Sequence, residues 1–69
     1  MRTWIRNGYE VREVPFDHDL REFNVVKDNK VVATITPGDL GEMKKIVQAL
    51  DDGEDVNGWE DGMGNTIRV

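Results

Sequence analysis

An α+β fold follows from three features of this 69-residue chain. Two stretches of alternating apolar residues each straddle a turn dipeptide or tripeptide, one apolar stripe recurs at helical period, and glycines bracket that helix. The expected architecture is a small antiparallel sheet of two β-hairpins with one amphipathic helix packed on one face. All 69 residues form one domain, divided into a first hairpin (1–14), a second hairpin (21–36), the helix (37–52) and an acidic, glycine-rich tail (53–69).

The first hairpin is read from Asn7-Gly8, flanked by Thr3-Trp4-Ile5-Arg6 and Tyr9-Glu10-Val11-Arg12-Glu13-Val14. Asn-Gly suits a type I′ turn, which needs positive φ at both central residues. A two-residue loop there pairs Arg6 with Tyr9 and Trp4 with Val11. Side chains alternate along a strand, so Trp4, Tyr9 and Val11 share one face while Ile5 and Val14 share the other. Pro15 to Leu20 then breaks the strand, because proline donates no ladder hydrogen bond and aspartates favour turns. Phe16 and Leu20 are expected to anchor this connection to the core.

The second hairpin spans Phe23 to Ile35. Turn length sets its register, since a one-residue slip moves a whole side-chain set to the other face. A two-residue loop at Asp28-Asn29 pairs Val26 with Val31 and sets Phe23 and Val25 against the face of Val31, Ala33 and Ile35. A three-residue loop, Lys27-Asp28-Asn29, pairs Val26 with Lys30 and Val25 with Val31. It gathers Phe23, Val25, Val31, Ala33 and Ile35 on one face and leaves Val26 and Val32 outside. The three-residue loop is therefore the expected one, with Asn29 taking the positive φ.

The helix follows. Thr36 is the expected N-cap, Pro37 suits the first helical position, and Asp39 can answer the cap's N–H. Leu40, Met43, Ile46, Val47 and Leu50 form one apolar stripe, and Gly53 is the stop. The stripe's simplest role is to cover the apolar face of the hairpins.

Charge narrows the function classes. The formal net charge is −5, yet residues 1–50 balance, with eight basic and eight acidic side chains. The excess lies in residues 51–69, where Asp51, Asp52, Glu54, Asp55, Glu60 and Asp61 face Arg68 alone. Scattered Lys and Arg on an acidic chain do not suit phosphate, so neither direct nucleic-acid binding nor an anionic membrane is expected. No run is long enough to span a bilayer and no signal core opens the chain. Together with the absence of cysteine, this makes a cytoplasmic location the expectation.

Chemistry is mostly excluded. An EF-hand loop needs acids at its first, third and fifth positions before a sixth-position glycine. With Gly58 sixth, those positions hold Gly53, Asp55 and Asn57. With Gly62 sixth, they hold Asn57, Trp59 and Asp61. Neither set works, and a single histidine, His18, without cysteine makes no zinc site. The chain has no serine, and its glycine-rich stretch alternates with acids that would repel phosphate. No metal, no cofactor and no enzymatic activity are expected.

Trp59 stands out inside the acidic tail, either folded back on the domain or displayed, since indole is a preferred contact side chain. The leading expectation is a small non-enzymatic protein-binding module whose contact residues are Trp59, Glu54, Asp55, Glu60 and Asp61. One rival is an acidic nucleic-acid mimic that occupies the basic groove of a host protein. The other is a structural or assembly protein acting through homo-oligomerisation over an apolar patch near Val26 and Val32. A chain this short has a slim core, which leaves room for a homodimer.

Three pieces, FNVVKDNKVVATI, TPGDL and GWEDGMGN, carry a family likeness. Over roughly residues 22–65 the chain resembles small acidic proteins of phages and prophages of Gram-positive bacteria. The resemblance implies an intracellular, host-expressed setting and assigns no residue a role.

Overall fold

A computed structural model describes residues 1–69. Four strands, β1 (Thr3–Arg6), β2 (Tyr9–Pro15), β3 (Arg21–Lys27) and β4 (Lys30–Ile35), precede one helix, α1 (Leu40–Asp51). The strands form one antiparallel sheet in the order β1-β2-β3-β4. This is the expected α+β architecture, two hairpins joined edge to edge with a single helix.

The first hairpin has the expected register, Arg6 opposite Tyr9 and Trp4 opposite Val11. Trp4, Tyr9 and Val11 are buried. The second hairpin differs. Its loop is the two-residue Asp28-Asn29, with Lys27 opposite Lys30 and Val26 opposite Val31. Both loop residues are left-handed, at φ 52° and 64°, the geometry of a type I′ turn. A bulge between Val25 and Val26 then sets Val25 opposite Ala33 and Phe23 opposite Ile35. The extra residue in β4 is Val32. The bulge supplies the parity shift that a longer loop would have supplied, so Phe23, Val25, Ala33 and Ile35 do share a face. Val31 does not join them and is exposed.

The helix starts later than Thr36-Pro37 suggested. Asp39 is the N-cap, and its side chain accepts from Glu42 N at 2.8 Å. Glu42 reaches back to accept from Gly38 N at 3.4 Å. Thr36 is engaged elsewhere, donating from Oγ1 to Glu22 Oε2 at 2.9 Å. The C-terminus ends in a Schellman arrangement. Gly53 N donates to Leu50 O and Glu54 N to Ala49 O, with Gly53 at φ 88°. Met43 and Leu50 are buried, Ile46 and Val47 pack against the core, and Leu40 is exposed at the helix start.

The stretch 53–69 is part of the core rather than an appended tail. Val56 and Ile67 are buried in one cluster with Trp4, Tyr9, Phe23 and Leu50. The segment doubles back on itself: Ile67 N donates to Trp59 O at 2.7 Å and Gly58 N to Ile67 O at 3.0 Å. The expected last strand reduces to one bridge, Glu60 to Thr66. Gly62 N then donates to Thr34 O at 2.9 Å and ties the segment to the β4 edge. A side chain at Gly62 would meet Thr36 Oγ1 at 2.9 Å, so this approach depends on glycine. In the β2–β3 connection Leu20 packs on the core, whereas Phe16 is exposed and is not the second anchor the sequence suggested.

Candidate functional site

Two inward-facing side chains of β1, Trp4 and Arg6, and that of Arg2 just before the strand hold the helix end. Arg6 donates to Leu50 O at 2.6 Å, which also accepts from Gly53 N, and to Glu54 O at 3.1 Å just past the helix. Trp4 Nε1 donates to Asp51 Oδ1 at 2.9 Å, and the Arg2 guanidinium donates to both Asp51 oxygens at 3.2 Å. The indole hydrogen bond, helped by Arg2, holds the Asp51 carboxyl below its usual range. Arg2 also lies over the Trp4 ring, 4.9 Å from its centroid.

Next to this clamp, Tyr9 bridges to the segment after the helix. Its hydroxyl donates to Asp55 Oδ1 at 3.0 Å and accepts from the buried Val56 N at 3.0 Å. Asn57 N also donates to Asp55, at 2.9 Å. The Asn57 amide hydrogen bond, then that of Tyr9, keeps the Asp55 carboxyl below its ordinary value, while burial raises the Tyr9 phenol.

These contacts sort the residues that the sequence singled out. Asp55 is occupied by Tyr9 and Asn57. Asp61 accepts from Met63 N at 2.8 Å and Asn65 N at 2.9 Å, closing the loop on which Met63 is displayed. Trp59 is half-buried against the core, with Glu60 beside it and Glu54 and Glu60 exposed. The structure therefore brings Trp59, Glu60 and Asp61 together on the return loop, and sets Glu54 and Asp55 at the helix exit.

The other acids are dispersed. Asp17 and Asp19 sit in the β2–β3 connection, Asp28 in the hairpin turn, and Asp39 and Glu42 at the helix start. Glu13 is buried at the end of the inner face, where it accepts from Arg2 N at 3.1 Å and lies 3.8 Å from the Arg21 guanidinium. His18 is fully exposed beside Asp17. No group of three or more His, Asp or Glu side chains is placed to hold a metal ion.

The outer face of the sheet carries an apolar row that the sequence marks only in part. The helix and the C-terminal segment both pack on the inner face, whose residues make up the core cluster. The outward positions form cross-strand rows, Ile5-Glu10-Val26-Val31 and Thr3-Arg12-Asn24-Thr34. Ile5 is 71% exposed, Val31 56% and Val32 51%, while Val26 between them is only 5% exposed. A shallow groove of about 260 Å³ runs beside this row, lined by Ile5, Glu10, Val26 and Asn29 among others.

Most polar groups on this face already have partners. Arg12 donates to Glu10 at 2.8 Å, which raises the Arg12 guanidinium further. Thr34 donates to Asn24 at 3.0 Å. The signal available in the sequence was the pairing of Ile5 and Val14 opposite Trp4 and Val11. The bulge that adds Val32 to Val31 on this side carries no such mark.

Comparison with known proteins returns nothing to set beside this geometry: no family model matches the chain, and neither a curated protein nor a solved structure matches it.

Proposed function

We propose that the chain is a small non-enzymatic protein-binding module whose contact surface is the open face of its sheet. The observation that carries this reading is the exposed apolar row of Ile5, Val31 and Val32 around Val26, on the one side of the sheet that no other element covers. Antiparallel sheets commonly leave one face to water, and that face is then polar. Here it is apolar at one end and carries hydrogen-bonded pairs at the other. Burying groups that are already paired avoids the usual desolvation loss of about 1–3 kcal/mol per orphaned group. The matching partner is a protein surface of similar character, apolar and near neutral.

The return loop is the second reading, supported by the part of the Trp59 ring left accessible beside Glu60 and Glu54. The nucleic-acid-mimic reading draws less support, because Asp51, Asp55, Asp61 and Asp39 hold internal donors. Our proposal keeps the module in an intracellular, phage- or prophage-related setting, on the likeness of residues 22–65. No helix is long and apolar enough to cross a membrane.

The test is a capture experiment that includes an untagged copy of the chain. It compares the wild type with Ile5→Asp/Val31→Asp and with Trp59→Ala. A partner kept by wild type and Trp59→Ala but lost by the double variant supports the sheet face. Loss through Trp59→Ala alone moves the site to the return loop. A partner set unaffected by either variant overturns both.

A further inference from the structure

We infer that the partner for which the outer sheet face is built is a second copy of this chain, packed face to face across a two-fold axis. This rests on the reading of that face given above and names its occupant.

Charge restricts where two copies can meet. A chain of net charge −5 repels its own copies, so two copies can meet closely only where the surface is near neutral. On β2 the one outward carboxylate, Glu10, is balanced by the one outward guanidinium, Arg12. The acids in excess lie mostly elsewhere, at the helix end, on the return loop and in the turns. Glu22, at the far end of the face, is hydrogen-bonded to Thr36.

The face is also its own complement. Glu10 and Arg12 are outward neighbours on β2, two residues apart. An axis running across the strands at the level of Val11 stacks β2 of one copy antiparallel on β2 of the other. Glu10 of each then lies over Arg12 of its partner. The same operation lays the Ile5-Glu10-Val26-Val31 row over the Thr3-Arg12-Asn24-Thr34 row, so that Ile5 meets the Thr3 methyl and Val31 meets that of Thr34. Residue i contacts j and j contacts i, as an isologous interface requires. An unrelated partner would have to reproduce this alternation, whereas a second copy has it already.

The size of the face suits a weak pair. Strands about 4.8 Å apart, rising about 3.4 Å per residue, make a face of roughly 19 by 20 Å. That is about 380 Å² in projection per chain and about 760 Å² for the pair, at the small end for a specific interface. Sheets stacked about 10 Å apart fill such a gap with their facing side chains. The association expected is therefore reversible and concentration-dependent.

Sedimentation equilibrium over a range from micromolar to millimolar chain tests this. The wild-type mass should rise from 7.9 kDa toward twice that value. Arg12→Glu and Glu10→Arg each place like charges across the axis. Each alone should weaken association at least tenfold and remain near 7.9 kDa where the wild type is paired. Mixed in equal amounts, the two should restore the two-chain species, since one face is then doubly acidic and the other doubly basic. Both positions lie outside the core, and circular dichroism of each variant should match that of the wild type. A wild type that stays at 7.9 kDa throughout, or single variants that pair as well as the wild type, overturns the inference. If a different protein is instead captured through Ile5 and Val31 while the chain stays monomeric, this inference fails and the reading of the face stands. If nothing is captured and nothing pairs, both fail.

Discussion

Replacing Ile67 with Ala separates a closing strap from a detachable tail. Ile67 is 3% exposed and lies in the same cluster as Phe23, Leu50 and Val56. Its backbone hydrogen bonds to Trp59 and Gly58 survive the change, so the loss is one of packing. Truncating a buried Ile to Ala removes about 2–5 kcal/mol. A domain of this length holds only about 3–10 kcal/mol in total, so one side chain near the C-terminus carries a large share of it. At about 4–8 °C per kcal/mol for so small a domain, the melting temperature should fall by at least about 8 °C. Met63→Ala, on the same loop but exposed, is the control and should change stability by less than about 0.5 kcal/mol. Thermal melts followed by circular dichroism give both values. If Ile67→Ala and Met63→Ala melt together, residues 53–69 do not close the core and the packing argument is wrong.

Three further outcomes follow from the same contacts. Tyr9→Phe leaves the buried Val56 N–H without its acceptor and should lower the unfolding free energy by about 1–3 kcal/mol in urea titrations. Gly62→Ala forces a Cβ to 2.9 Å from Thr36 Oγ1, and such overpacking should cost about 1–3 kcal/mol, read as an earlier urea midpoint with an unchanged slope. The folded-state carboxyls of Asp51 and Asp55 are both depressed, the first chiefly by Trp4 and the second chiefly by Asn57. A depressed carboxyl adds stability that is fully present above its unfolded pKa and is lost as pH falls through the folded one. Acid titration should therefore lower the urea midpoint below about pH 4, and Asp51→Ala/Asp55→Ala should flatten that fall; an unchanged acid slope would count against these two hydrogen-bonded carboxylates.

How far the sequence led depended on whether the deciding contact was local. Asn7-Gly8 fixed the first register because the turn dipeptide and the alternation of Trp4, Tyr9 and Val11 agree. In the second hairpin the alternation demanded one parity shift and did not say where to put it. A longer loop at Lys27 and a bulge at Val32 satisfy Phe23, Val25, Ala33 and Ile35 equally, and only Val31 differs between them. The helix start was ambiguous for a similar reason. Thr36 and Asp39 are both good caps, and what removes Thr36 is a strand neighbour, Glu22, fourteen residues away.

The C-terminal segment was the least legible. Val56 and Ile67 stand alone among glycines and acids, with no period to mark them as core. The partners of Asp51 and Asp55 lie on the first hairpin, 46 or 47 residues away for Tyr9 and Trp4. Carboxylates that read as a displayed acidic surface are, in the fold, acceptors for an indole, a phenol and main-chain amides. Trp59, expected to be either buried or displayed, is half of each.

The measurement that bears most directly on the central claim is a series of amide correlation spectra of labelled chain, recorded from dilute to concentrated solution. The account predicts concentration-dependent shifts along the outer face, at Ile5, Glu10, Arg12, Val26, Val31 and Val32, with Val56, Trp59 and Ile67 unmoved. Shifts gathered instead at Trp59, Glu60 and Asp61, or spectra that do not change with concentration, would contradict it.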